Sequence, residues 1–105
     1  MTGEKFVELC FKEKESMLSE YFSSESSQVS ALINGLTENG ANRDSLYYLI
    51  DSVMSETFYR LLLALDGEAS LCGEQICYKL YDEDNNLLNE CGEIEEAAYA
   101  FFMEE

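Results

Sequence analysis

The chain has 105 residues, 47% of them hydrophobic, and sets 22 Asp and Glu against 6 Lys and Arg for a formal charge of −16. That length suits one domain burying roughly two thirds of its unfolded surface, and seven Tyr, six Phe and abundant Leu lift the composition out of the disordered class. With no His and six cations, imidazole catalysis, His-activated nucleophiles and direct binding to nucleic acid or an anionic membrane are all disfavoured.

From about Glu4 to Phe22, Phe6, Val7, Cys10, Phe11, Leu18, Tyr21 and Phe22 recur at three- and four-residue spacing, which predicts an amphipathic helix. The serine-rich run from Ser23 to Ser27 breaks it. One of those serines caps a shorter helix carrying Val29, Leu32, Ile33 and Leu36, which Asn39 and Gly40 stop. A third helix of about 22 to 25 residues then starts at an Asn42 or Asp44 cap. It runs through Leu46, Leu49, Ile50, Val53, Phe58, Leu61, Leu62 and Leu65 to Asp66 and Gly67. Its second half, FYRLLLAL, is apolar nearly all round and reads as the spine of the core.

Beyond Gly67 the period changes to two. Ile76, Tyr78 and Leu80 alternate with Cys77, Lys79 and Tyr81, the turn formers Asp82 to Asn86 follow, and Leu87 to Cys91 return, which predicts an antiparallel hairpin. After Gly92, Glu93, Glu95 and Glu96 favour a helix N-terminus ahead of the stripe Ile94, Ala97, Ala98, Phe101 and Phe102. The expected fold is α+β and mainly helical, in the order helix-helix-helix-strand-strand-helix. A small antiparallel β-hairpin lies against the helical layer, and residues 1–105 form a single acidic domain.

Four cysteines, Cys10, Cys72, Cys77 and Cys91, are scattered without the close pairs or the His that would complete a zinc site. They read as buried reduced thiols. Asp82, Asp84, Asn86, Glu90 and Glu93 match positions of a calcium loop, but Leu87 stands where the loop needs Gly and Asn89 where it needs an apolar residue. An acidic turn is the reading. Glu95 and Glu96, or Asp51 and Glu56, are paired carboxylates of the kind an acid-base site uses; at one carboxylate in five residues such pairs arise by chance on solvated helix faces. No metal, cofactor or catalytic residue is expected.

The stretches TFYRLLLALDGEASL, CYKLYDEDNNLL and GEIEEAAYAFF, within residues 57–102, resemble small acidic bacterial proteins of the toxin-immunity type: a helix with an LDG-like stop, a hairpin and a closing helix. The resemblance implies a cytosolic, non-catalytic protein that binds and neutralises a toxic enzyme, often a basic nuclease. Those families share no binding motif, so no residue carries over.

The charge gives the same direction independently. Residues 53–105 hold 13 acids and 2 bases, and an acid excess of this kind steers a positive partner. The expected partner is a basic protein, with the chain a monomer or weak dimer in the cytoplasm. The alternatives are a nucleic-acid mimic directed at a DNA-binding protein and a general regulatory adaptor. The partner surface is expected on the hairpin and its flanks: Glu74, Tyr81, Asp82, Glu83, Asp84, Glu90 and Glu93, with acids for steering and an aromatic for anchoring.

Overall fold

A computed structural model describes residues 1–23 and 27–104; the predicted break at Ser24, Glu25 and Ser26 lies outside the described residues. Helix α1 spans Gly3–Ser23, α2 Gln28–Glu38 and α3 Arg43–Leu65. A 3₁₀ turn at Glu90–Gly92 leads into α4, Glu93–Ala98, which continues as a π turn over Tyr99–Met103.

The helix ends follow local chemistry. Ser27 Oγ caps α2 by accepting from the Ser30 N–H at 3.1 Å, and Asn42 Oδ1 caps α3 by accepting from the Ser45 N–H at 2.9 Å. Both helices stop the same way. At the end of α2, Gly40 is left-handed, and the Gly40 and Ala41 N–H groups return to Thr37 and Leu36. At the end of α3, Gly67 is left-handed, and the Gly67 and Glu68 N–H groups return to Ala64 and Leu63.

Helices α1 and α3 run antiparallel, as their pairings in sequence show. Phe22 meets Tyr47 edge-on at 5.0 Å, Lys14 Nζ reaches Asp51 Oδ1 at 2.8 Å, and Val7 shares a core cluster with Leu62. Lys14 is almost fully buried, and its ammonium also lies 4.8 Å from the Phe11 ring centroid. The charge thus enters the α1–α3 seam with partners. The core itself, Val7, Leu62, Ile94, Ala97 and Ala98, sits where α4 crosses the N-terminal half of α1 and the C-terminal half of α3. Phe102 stacks on Phe58 at 5.8 Å and meets Phe11 edge-on at 5.4 Å. These ring pairs fasten the π turn to both helices. Gly3 is buried against the Leu88 carbonyl, where any Cβ would collide, so the start of α1 packs directly on the loop before α4.

The α+β expectation is overturned: among the described residues the chain is helical, with no β-strand. In place of the hairpin stand two isolated antiparallel bridges, Leu71 with Glu74 and Tyr81 with Leu87. The reason lies in Asn89. Its side chain takes the place of a strand neighbour, accepting from the Leu80 N–H at 3.0 Å and donating to the Tyr78 carbonyl at 2.7 Å and to the last-turn carbonyl of Leu65 at 3.0 Å. The backbone meanwhile leaves into the 3₁₀ turn. A lone two-stranded ribbon is marginal in water, and here the alternating side chains gain no burial: every residue from Leu71 to Lys79 is exposed. Two more expectations are corrected. Cys72 and Cys77 are exposed and Cys10 is half-buried, while the Cys91 side chain lies outside what the structure describes. The FYRLLLAL segment buries Leu62 and Ala64 and leaves Leu61 exposed, so α3 is covered on some sides only.

Candidate functional site

The acidic turn is built around one carboxylate. Asp82 Oδ1 accepts from the N–H groups of Asp84 and Asn86, each at 2.9 Å, and Oδ2 accepts from the Asn86 amide at 2.9 Å and the Met1 amine at 3.0 Å. The Asp82 carbonyl takes the Asn85 N–H, and Asn85 adopts the left-handed conformation that Asn tolerates. These donors, the Asn86 side chain foremost, hold Asp82 well below the usual carboxylate range. Asp82 is therefore a brace. Glu83 and Asp84 are the acids that the turn presents to solvent, with Tyr81 exposed beside them.

The other expected residues are spread out. Glu74 is exposed in the separate Leu71–Glu74 turn, and Glu90 is exposed at the start of the 3₁₀ turn. Glu93 faces inward: its Oε1 accepts from the Glu4 N–H at 3.3 Å, joining α4 to the start of the chain. The positive end of α1 favours a carboxylate there. Of the seven, Tyr81, Asp82, Glu83 and Asp84 are brought together, and two of those carboxylates are available to a partner.

Beside the turn lies an apolar groove of about 430 Å³, lined by Phe6, Leu9, Phe58, Leu80, Tyr81 and Leu88, with Glu13 and Asp82 at its margin. It exists because α1, α3 and the bridged segment each contribute one apolar edge and none crosses the gap.

A second, more polar cleft of about 660 Å³ runs between Tyr59, Glu68, Gly92, Glu95, Glu96 and Tyr99. At its edge Asp66, the residue after α3, accepts from the Glu95 N–H at 2.9 Å through Oδ2, and its Oδ1 is buried with no partner among the described residues. Burial, then Glu68 and Glu93, raise Asp66 above its ordinary range against that hydrogen bond; partial burial, Glu68 and Asp66 raise Glu95. Sequence reasoning missed this cluster. Asp66 read as a helix stop and Glu95 as a solvated first turn, and 29 residues separate them with no shared pattern. Asp66 and Glu95 are thus both raised from the ordinary carboxylate range. Among the described residues, no group of three or more His, Cys, Asp or Glu is placed to hold a metal ion.

No helix among the described residues is long and apolar enough to cross a membrane. No family model matches the chain, and no match was found among curated proteins or solved structures.

Proposed function

We propose that this chain is a non-catalytic binding protein of the cytoplasm that covers a basic surface of another protein, in the manner of an immunity protein neutralising a toxic enzyme such as a nuclease. The observation that supports this reading is the braced turn with Glu83 and Asp84 outward, set directly beside the apolar groove. Lys and Arg carry a long aliphatic stem and a cationic head. A partner's basic side chain would lay its stem along Phe6, Phe58 and Leu80 and bring its head to Glu13 and the turn. The bracing by Asp82 reduces the ordering cost that a flexible acidic loop would meet on binding.

The test is affinity capture from the native host, followed by binding kinetics on the captured protein. Glu83→Lys with Asp84→Lys should slow association at low salt and flatten its salt dependence, while Tyr81→Ala should chiefly speed dissociation. Wild-type association rates for the double reversal at both low and high salt would remove the turn from the interface. A captured partner with an acidic contact surface would overturn the reading as a whole.

A further inference from the structure

The apolar stripe that the sequence sets along the first half of α3 points into the molecule only in part. Leu49 and Val53 are 58% and 54% exposed, and Leu46 and Ile50 on the same stripe are half-buried. On α2, joined to α3 by the short 39–42 connection, Leu32 is 58% exposed and Leu36 is exposed as well. The opposite side of α3, through Tyr47, Asp51 and Phe58, meets α1 and the π turn. Leu49 and Val53 on α3, and Leu32 and Leu36 on α2, are thus apolar side chains that no other element among the described residues covers.

We infer that a second copy of this chain covers it, giving a homodimer through α2 and the first half of α3. Area supports pairing. A compact chain of 12.0 kDa exposes about 6,000 Å², whereas this one exposes 7135 Å². The excess, which the exposed run from Leu71 to Lys79 shares, leaves room for the roughly 800 Å² per partner that a standard interface removes from water. Shape agrees: the radius of gyration is 16.2 Å, against about 13 Å for a compact chain of this length.

Charge selects the occupant. Residues 27–65 carry 4 acids and 2 bases, net −2, so −14 of the total −16 lies elsewhere. A basic partner has little to be steered by here. Two copies of a chain this acidic repel one another, and they can meet only where the charge is low. The groove beside the acidic turn and the π turn meet α3 at Phe58, about 13 Å along the helix from the centre of the stripe at 1.5 Å per residue. That exceeds the roughly 8 Å screening length at physiological salt, so pairing through α2 and α3 keeps the two acidic ends apart. The acidic surface stays free for the partner proposed above.

Sedimentation equilibrium of the full chain over about a hundredfold dilution series tests this. A monomer–dimer equilibrium that tightens with added salt, and a melting temperature that rises with concentration, are the expected results. Leu49→Asp with Val53→Asp should raise the dissociation constant by about a hundredfold or more with the helical circular dichroism unchanged. Leu49→Ala keeps full helix propensity and should weaken pairing about tenfold, which guards against misfolding of the charged variant. A wild-type chain that stays monomeric throughout, or a dimer indifferent to Leu49→Ala, would overturn the inference.

Discussion

The two ends of the molecule are built on opposite terms. At one end α4 and the π turn close over α1 and α3, and Val7, Ile94 and Ala98 are completely hidden from solvent. At the other end, among the described residues, α1, α2 and the first half of α3 pack only on one another, burying Leu18 and Ile33, and Leu49 and Val53 of the regular α3 stripe are left facing water. The charge runs the other way: residues 66–105 hold 12 acids and one base, residues 27–65 only 4 and 2. The end that α4 closes is the acidic one, while α2 and α3 carry little net charge. Local amphipathicity therefore does not say which stripe a chain will bury. A stripe is buried where a second element lies within reach, and this chain supplies α4 to one end only.

The largest test of that contrast is a pair of truncations. Ile94→Ala or Leu62→Ala should cost about 2–5 kcal/mol by opening a cavity, a large share of the roughly 5–15 kcal/mol a domain of this size has. Leu49→Ala, measured at high dilution, should stay within about 0.5 kcal/mol of wild type. Equal losses by urea denaturation would mean that the open end is packed after all.

A smaller effect separates the acids of the turn by role. Asp82→Ala removes the acceptor for two backbone N–H groups and should lower the melting temperature and loosen residues 81–87, whereas Glu83→Ala and Asp84→Ala should leave it nearly unchanged. The pH dependence has a definite sign. Because Asp82 is held below the ordinary carboxylate value, its contribution is fully present above about pH 4 and is lost as the pH falls further toward its folded value. The difference between wild type and Asp82→Ala should therefore shrink in strong acid. An undiminished gap there would assign the effect to packing.

The smallest effect has the opposite sign. Glu95 binds its proton more readily folded than unfolded, because partial burial and the carboxylates of Glu68 and Asp66 disfavour its charge. That costs stability at neutral pH, and the cost fades as the pH falls through the raised folded value toward the ordinary one near about 4.3. Glu95→Gln should accordingly raise the melting temperature slightly at pH 7 and make no difference below about pH 4. A destabilised Glu95→Gln at neutral pH would show that the cleft needs the charge.

Much of this molecule is legible from residue order alone, because its helix boundaries depend on near neighbours in the chain. A serine cap before α2, a cap at Asn42 or Asp44 before α3, the helix stops at Gly40 and Gly67, the length of α3 and the stripe Ile94, Ala97, Ala98, Phe101 and Phe102 all follow from such local chemistry; the structure picks Ser27 and Asn42, and of that stripe it buries the first three. What needed the tertiary structure depends on partners far apart in sequence. The period-two pattern from Ile76 to Tyr81 describes a strand, but a strand forms only with a ladder beside it, and the Asn89 side chain ended that ladder by bonding Leu80, Tyr78 and Leu65 at once. The expected acidic surface divided in the same way. Residue type places Glu83, Asp84 and Asp82 together, and only the folded turn decides that Asp82 spends its oxygens on the turn's own N–H groups and the Met1 amine, that Glu93 faces α1, and that Asp66 and Glu95 meet across 29 residues. Composition fixes how much charge and apolar surface a chain carries; which of it meets water depends on which elements come to lie against one another, and here α4 made that choice.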